Sequence, residues 1–204
     1  QLVNRLESAA SWGVFSDRPQ EESSVFSPDK INILNLSALE PSAFGLRNLI
    51  LDILLRRVFE ANLLNKTRQE LGLDYCLRRI WLLIDEAHQF VPQAKKVLSK
   101  DILIRWVKEG RQPGLSCVFA TQQPKSLVEE ALSQCDLIIV HRINNVDDIL
   151  SVNRLTQDYM PQELRLLLRQ IKKPGEAVLL DDAKEDVLMV KIRRRLSMHP
   201  EESI

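Results

Sequence analysis

Two adjacent carboxylates, Asp85 and Glu86, directly follow the uninterrupted apolar run Ile80–Ile84. A short apolar run of this kind predicts a strand buried on both faces of a parallel sheet, with the acids at its carboxyl end. Open α/β sheets bind their ligands at that edge. In a Walker B segment, the first acid holds the Mg²⁺ of a nucleotide, usually through water, and the second polarises the attacking water. The alternative is a core strand that ends in a solvated acidic turn, because so short a motif also recurs by chance.

A second polar pair, Thr121 and Gln122, follows the next apolar run, Leu115–Ala120. If the two strands are neighbours, this pair lies beside the acids, where an amide can hold the attacking water and sense the terminal phosphate. The alternative is a strand-end turn that Pro124 terminates. The presence of both motifs favours the functional interpretation.

Two arginines are candidates for stabilising the charge of a transferring phosphoryl group. Arg111 follows Gly110 at the end of a predicted helix, and Arg142 follows the predicted strand 136–141. A guanidinium in that role is an arginine finger, which a neighbouring subunit often supplies. Either arginine can instead form a surface ion pair, an interaction that contributes little to stability.

The chain contains no phosphate-binding loop of the form G-x-x-x-x-G-K-[ST], because none of its six glycines precedes Lys-Ser or Lys-Thr. A Walker B carboxylate needs backbone N–H groups and a lysine that hold the phosphates. The chain also begins with Gln1, and its first methionine is Met160. We therefore expect it to be the C-terminal part of a longer protein whose phosphate loop precedes Gln1. The chain alone is then not expected to hydrolyse ATP efficiently.

The composition is that of a globular domain, with 204 residues of which 45% are hydrophobic. The 28 basic and 28 acidic residues give zero formal net charge, so any contact with DNA must come from local basic runs. Each of these runs is more commonly a solvated surface than a DNA contact. The runs are Arg56-Arg57, Arg78-Arg79, Lys95-Lys96, Lys172-Lys173 and Arg193-Arg194-Arg195.

The three cysteines form no C-x-x-C pair, and Cys117 lies in an apolar run that reads as core. A reducing compartment is therefore the default expectation, and we expect a cytoplasmic protein. No apolar run is long enough to span a bilayer, so no membrane partner is expected.

Hydrophobic periodicity and turn residues predict the elements that position these side chains. The predicted strands cover residues 30–36, 80–84, 115–120, 136–141, 176–180 and 187–192. The predicted helices cover residues 46–64, 93–109, 126–133, 146–155 and 161–171, the third beginning at a capping box on Ser126. Residues 1–30 are expected to be irregular, 65–75 a connector and 196–204 a flexible tail. The alternation predicts an α/β fold, with a three-layer, mostly parallel sheet flanked by helices and an antiparallel hairpin at its C-terminal edge.

Together these residues resemble the HerA-like branch of the HerA/FtsK superfamily of P-loop ATPases. The resemblance covers residues 31–195, the expected C-terminal part of a RecA-like ATPase domain that lacks its phosphate loop. DEAH-box helicases share the DEAH letters but carry a Ser-Ala-Thr motif and arginine-rich motifs that this chain lacks. The matching segments are INILNLSAL (31–39), LLRRVFE (54–60), WLLIDEAHQFVP (81–92), EGRQPGLSCVFATQQP (109–124), LSQCDLIIVHRINN (132–145), PGEAVLLDD (174–182) and VLMVKIRRR (187–195).

The resemblance implies a ring-forming ATPase, expected to be a hexamer, that binds ATP and Mg²⁺ and moves along double-stranded DNA. It also implies a partner nuclease in DNA end processing and repair. By position, Asp85 would serve the Mg²⁺, and Arg111 would reach into the next subunit. His88 matches the pattern, although it can instead only hydrogen-bond within its turn. The implied catalytic residues are Glu86 as general base, Gln122 as sensor, Arg111 and Arg142. The implied nucleotide-binding residues are Asp85, Thr121 and His88.

Two alternatives to a DNA translocase stay open at this point. Secretion and conjugation ATPases share the same core and move protein or single strands. The second alternative is a non-catalytic module that docks onto a ring without hydrolysing nucleotide. The simultaneous presence of Asp85-Glu86, Thr121-Gln122 and Arg111 argues against that last reading, because a silent site has no physical reason to retain all of them.

Overall fold

The computed structural model describes residues 7, 10, 30–37, 39, 45–73, 78–143, 145–155 and 161–197. Contacts divide the chain into residues 1–40 and residues 41–204, and every helix and strand named below lies in the second unit. The expected irregular segment 1–30 and flexible tail 196–204 lie almost entirely outside the described residues, as does Cys76.

Helices and strands alternate through residue 155, a helix and a β-hairpin follow, and the described strands form two separate sheets. The strands β1 and β2 form a parallel pair, and β3, β4 and β5 form an antiparallel sheet in that order. The elements are α1 (Leu46–Glu70), β1 (Ile80–Ile84), α2 (Ser99–Glu109), β2 (Leu115–Phe119), α3 (Glu129–Leu132), β3 (Leu137–Val140), α4 (Val146–Leu155), α5 (Pro161–Gln170), β4 (Glu176–Asp181) and β5 (Asp186–Lys191). Short 3₁₀ turns cover Ala87–Gln89, Pro124–Ser126 and Asp182–Lys184.

The mixed α/β class and the C-terminal antiparallel hairpin are confirmed, whereas the single, mostly parallel sheet is not what the described strands form. Strand β3 pairs antiparallel with β4, with Leu137 aligned with Asp181 and Val140 aligned with Val178. An apolar run predicts that a strand exists, but its partner depends on residues distant in sequence, and periodicity does not encode that choice.

One face of the β1–β2 pair packs against α1 and α2. Phe59 of α1 and Trp106 of α2 are each 1% exposed, and their rings meet edge to face with centroids 6.1 Å apart. The Trp106 indole N–H donates to the Ser116 carbonyl oxygen at 3.2 Å, which fixes α2 along β2. Burying two large aromatic side chains contributes strongly to stability, and the edge-to-face contact adds about 0.5–1.5 kcal/mol.

The opposite face of β1 is open in the described part of the chain. Because successive side chains of a strand point to opposite faces, Trp81 and Leu83 lie opposite the core. Trp81 is 64% exposed and Leu83 is 71% exposed. The prediction that β1 is buried on both faces is therefore wrong for the described residues, since no described element covers this second face.

A second apolar core lies between the antiparallel sheet and the helices α4 and α5. It contains Val140 from β3, Val152 from α4 and Leu164 from α5, all buried. Val178 of β4 is fully buried in the same core. The helical and strand periodicities predicted for this half of the chain are confirmed, because each element directs one apolar stripe into this shared core.

One predicted strand is not formed in the described residues, and two predicted helix boundaries are wrong. Residues 31–36 have irregular backbone, since they pair with no described strand and a lone strand has no hydrogen-bond ladder. Helix α1 continues to Glu70, through the first part of the predicted connector. Helix α2 begins only at Ser99, because residues before it are irregular and Gln93 N–H donates to the Ser126 carbonyl oxygen at 2.8 Å.

The predicted capping box at Ser126 is also wrong. The Ser126 hydroxyl donates to Gln123 Oε1 at 3.2 Å, and helix α3 begins three residues later. The side chain that caps α3 comes from elsewhere in the chain: Glu129 N–H donates to Gln93 Oε1 at 2.9 Å. A distant amide supplies the acceptor that the sequence pattern assigned to a local hydroxyl.

Candidate active site

Parallel pairing of β1 and β2 brings the two polar motifs to the same sheet edge. Ile84 is aligned with Phe119, so Asp85-Glu86 and Thr121-Gln122 leave neighbouring strands at their carboxyl ends. The Gln122 amide nitrogen Nε2 donates to Glu86 Oε1 at 2.8 Å. The expected proximity of the two motifs is therefore observed, while the chemical roles of these residues stay predictions.

The backbone of Glu86 turns sharply just after β1. Its φ of 47° lies in the left-handed region, which a non-glycine residue rarely occupies. Such a conformation costs on the order of 1–3 kcal/mol and persists only where the surroundings hold it. Here Asp85 Oδ1 accepts the Glu86 N–H at 2.9 Å, and the next amide, Ala87 N–H, donates to the Ala120 carbonyl oxygen at 2.9 Å. The turn aims the Glu86 carboxylate toward Gln122.

His88 connects the turn after β1 to the end of β2. Its Nδ1 lies 3.0 Å from the Thr121 hydroxyl oxygen, and that oxygen also accepts the Gln123 N–H at 3.0 Å. His88 Nδ1 also lies 3.3 Å from Glu86 Oε2, a pair that becomes an ion pair when the imidazole is protonated. His88 therefore hydrogen-bonds across the two strands, which goes beyond a contact within its own turn.

The second oxygen of the Glu86 carboxylate is buried and accepts no hydrogen bond from any described residue. A buried acceptor left unpaired costs about 1–3 kcal/mol, so native proteins rarely leave one without a reason. The Glu86 carboxylate is thus held at Oε1 by Gln122 and has spare acceptor capacity at Oε2.

The exposed carboxylate of Asp85 fits a water-mediated Mg²⁺ site. Its Oδ1 is engaged by the Glu86 N–H, which orients the group at the strand end. Mg²⁺ usually keeps several waters and takes one or two carboxylates together with substrate phosphates. Among the described residues, no three His, Cys, Asp or Glu side chains are grouped as a metal cage built only from protein would need.

No described contact joins either candidate arginine to the acids of this edge. Arg111 is exposed and precedes β2, so it lies at the amino end of the strand whose carboxyl end leads to Gln122. With a strand rise of about 3.3 Å per residue, β2 separates the two by roughly 16 Å or more. Arg142 is exposed after β3, in the other sheet. In the described part of the chain, neither arginine contacts Glu86.

Sequence reasoning missed a connection that we refer to as the strap, formed by residues 91–93 and 126–128. Pro92 forms an isolated antiparallel bridge with Leu127. Gln93 N–H donates to the Ser126 carbonyl oxygen at 2.8 Å, and Val128 N–H donates to the Val91 carbonyl oxygen at 3.1 Å. The strap joins the segments that follow the two polar motifs. No sequence signal marks it, since short irregular segments lack a period.

Asn62 is a second missed residue, and it did leave a signal. It is only 6% exposed and continues the buried stripe of α1, where an apolar side chain would be expected. Its Nδ2 donates to the Arg78 carbonyl oxygen at 3.2 Å and to the Pro113 carbonyl oxygen at 3.0 Å. Those residues precede β1 and β2, so Asn62 ties the amino ends of both site strands to α1.

Lys125 links the turn after Thr121-Gln122 to helix α4. Its N–H donates to Asp148 Oδ1 at 3.3 Å, and its Nζ donates to Asp147 Oδ2 at 3.0 Å. Asp148 is 7% exposed, and this contact contributes to satisfying a carboxylate that is largely removed from water. The link connects the β1–β2 site with the second apolar core.

Adjacent acids at the end of one parallel strand, faced by a polar pair on the next, form the arrangement expected of a nucleotide-hydrolysis site in an α/β protein. No protein-family model matches the chain. Over 164 residues it is 28% identical to the probable helicase MJ1565 of Methanocaldococcus jannaschii, covering 79% of this chain and 30% of that protein. Over 163 residues it is 29% identical to the DNA double-strand break repair helicase HerA of Sulfolobus acidocaldarius, covering 80% and 31% respectively.

These comparisons confirm the resemblance to HerA-type helicases, and the chain spans about 30% of the length of these relatives. The crystal structure of B204, the DNA-packaging ATPase of Sulfolobus turreted icosahedral virus, superposes with a TM-score of 0.50 at 17% identity. The superposition covers 86% of this chain and 78% of that one, and it shows a shared fold. None of the helices in the described part of the chain combines the length and apolar composition needed to cross a membrane.

Proposed function

We propose that this chain is the C-terminal portion of an ATP-dependent translocase or helicase of HerA type that acts on double-stranded DNA. The observation that carries the proposal is the 2.8 Å hydrogen bond from Gln122 to Glu86, which unites the two polar motifs at one sheet edge. Its curated relatives are named helicases, several of them for DNA double-strand break repair. A role in DNA end processing beside a partner nuclease belongs to the same proposal.

In the proposed reaction, Glu86 is the general base for attack of water on the terminal phosphate of ATP. Gln122 holds Oε1 and so orients the carboxylate, which would accept the proton of the attacking water. Thr121 and His88 hold the end of β2 beside the turn that carries Glu86. Asp85 would hold Mg²⁺ through water, and the bound ion would supply positive charge to the phosphates.

The phosphate loop would come from a segment outside this sequence. Parallel sheets are normally covered on both faces, and the exposed Trp81 and Leu83 mark a face of β1 suited to another layer. The relatives are about three times longer than the matched region, which leaves room for such a segment. Its addition would complete the three-layer RecA-like core.

Arg111 is proposed to act in a neighbouring subunit of a ring, expected to be a hexamer. Its position at the amino end of β2 separates it from the acids of its own chain. A residue displayed at the far end of the strand can still reach the nucleotide edge of an adjacent copy. Arg142, at the end of β3, is the second candidate for this role.

The test is ATP hydrolysis by the complete natural protein, measured with and without a blunt DNA duplex of mixed sequence. Turnover that rises strongly with duplex and is lost in Glu86→Gln supports the proposal. A matched change on exposed Glu60, Glu60→Gln, should leave turnover unchanged. Turnover indifferent to DNA would favour a protein-moving or single-strand-moving ATPase, and no turnover would leave a ring-docking module.

A further inference from the structure

Two basic runs that are distant in sequence lie at the same end of the C-terminal hairpin. The first residue of β4, Glu176, is aligned with the last residue of β5, Lys191. Beyond that pair, Ile192 N–H donates to the Gly175 carbonyl oxygen at 2.7 Å, so the chain leaving β5 runs beside the turn entering β4. The run Lys172-Lys173 and the run Arg193–Arg195 therefore converge.

The acid at this end of the hairpin is already engaged. Glu176 Oε2 accepts the backbone N–H groups of Lys172 and Lys173, each at 2.9 Å. These hydrogen bonds, together with the positive charges of Lys173 and Lys191, hold the pKa of the Glu176 carboxyl below its usual value. The carboxylate stays ionised and fixes the turn, and Lys172 and Lys173 are exposed.

Charge along the hairpin is strongly segregated. Its far tip carries four acids and one lysine, Lys184, whose Nζ lies 3.5 Å from Asp181 Oδ2, and the residues that leave β5 are exposed through Ser197. The tip contains Asp181, Asp182, Glu185 and Asp186. A chain with zero net charge therefore presents a local positive surface, which attracts a polyanion at short range even though bulk charge does not.

We propose that this surface, the basic end formed by Lys172, Lys173, Lys191, Arg193 and Arg194, binds the phosphate backbone of duplex DNA. Residues 170–197 contain no aromatic side chain, whereas proteins that hold single strands use aromatic stacking together with positive charge. A surface that offers cations without stacking groups suits a duplex, whose bases are already stacked. This inference deepens the proposed function by naming the surface that contacts its DNA.

The experiment measures binding of the 204-residue chain to a fluorescein-labelled duplex by anisotropy across a range of salt concentrations. The variant Lys172→Gln/Lys173→Gln should weaken binding about tenfold at low salt and reduce the slope of log affinity against log salt by about 1.8, or about 0.9 for each phosphate contact. The variant Arg193→Gln/Arg194→Gln should behave similarly. Circular dichroism melts verify that both variants are folded.

The matched control is Lys95→Gln/Lys96→Gln, an exposed lysine pair in the irregular segment before α2. It should leave affinity and salt slope at the wild-type values. The inference is overturned if wild type does not bind duplex, or if the basic-end variants behave like this control. It is also overturned if the variants bind duplex as wild type does and lose only binding to a single strand. Loss of nothing but the association between copies, through the acidic tip, would overturn it as well.

This outcome is separable from that of the proposed function. ATP turnover of the complete protein in the absence of DNA does not depend on the basic end, so Lys172→Gln/Lys173→Gln should retain it. Charge-dependent duplex binding without any ATP turnover would reject the motor while retaining the basic end. ATP turnover without charge-dependent duplex binding would reject the basic end as a DNA-binding surface while retaining the motor.

Discussion

Replacing Asn62 by alanine tests whether α1 holds the two site strands. The change removes two hydrogen bonds, from Nδ2 to the carbonyl oxygens of Arg78 and Pro113. A buried hydrogen bond contributes about 0.5–1.5 kcal/mol net, and a buried acceptor left without its partner costs about 1–3 kcal/mol. Pro113 is fully buried, so its carbonyl oxygen has little access to water after the change. We expect a loss of about 2–3 kcal/mol in the free energy of unfolding.

The measurement is urea unfolding followed by tryptophan fluorescence, since Trp106 lies in the same core as Asn62's helix. Asn65→Ala, the same substitution at a half-buried position on the same helix, is the control and should cost less than about 0.5 kcal/mol. An Asn62→Ala loss no larger than that of the control would refute the reasoning. It would mean that the two carbonyl groups find other donors without cost.

Asn62→Asp sharpens the same test through its pH dependence. An aspartate at this position cannot donate when ionised, and it faces two carbonyl oxygens. Burial and these oxygens raise its pKa in the folded state above the unfolded value of about 3.9. The folded state then binds more protons, so destabilisation is small below that value and grows as pH rises through the folded-state pKa. A destabilisation independent of pH would contradict this account.

Four further predictions concern the site and the titrating groups. Glu86→Gln in the complete protein should retain ATP binding, measured by titration calorimetry, but lower turnover by several orders of magnitude; near-normal turnover would reject Glu86 as the base. Arg111→Ala subunits mixed with wild type should reduce activity more than dilution does, and simple dilution behaviour would place the finger elsewhere. Burial raises the pKa of the Cys117 thiol to about 12, so the thiol of the folded protein should react slowly with iodoacetamide at pH 8. Rapid alkylation of Cys117, detected by mass spectrometry, would refute this prediction. Backbone hydrogen bonds lower the pKa of Glu176, so the stability that its carboxylate contributes is complete above the unfolded-state pKa and is lost as pH falls through the folded-state pKa. Glu176→Gln should therefore flatten the acid side of a curve of unfolding free energy against pH. A curve that matches wild type would count against this role of Glu176.

The sequence was most informative where local chemistry and chain direction coincide. Strands β1, β2 and β3 lie within their predicted ranges, because each apolar run is bounded by polar or turn residues. Parallel pairing of the first two then makes the approach of Gln122 to Glu86 foreseeable. The left-handed backbone of Glu86 was not foreseeable, since glutamate carries no preference for it.

The failures involve partners that lie far away along the chain. Ser126 had the right spacing for a cap, yet Gln93 supplies the acceptor to α3. The pattern at residues 31–36 alternates as a strand should, but pairing is a property of two segments and no described strand accepts it. Asn62 stood out only as a polar interruption of an apolar stripe, and its two acceptors come from loops that carry no pattern of their own.

The strap constrains how the two motifs of the proposed nucleotide site can move relative to each other. Residues 91–93 are hydrogen-bonded to residues 126–128. The two segments that follow the motifs therefore move as one unit unless these hydrogen bonds break. Their amide hydrogens should therefore exchange with solvent only when the whole β1–β2 unit opens. Gln122 and Glu86 are joined by one side-chain hydrogen bond, which a rotamer change breaks on a far shorter timescale. Under the proposed function, a bound nucleotide would therefore be sensed by side-chain rotation at Gln122 and Glu86 over this hydrogen-bonded frame.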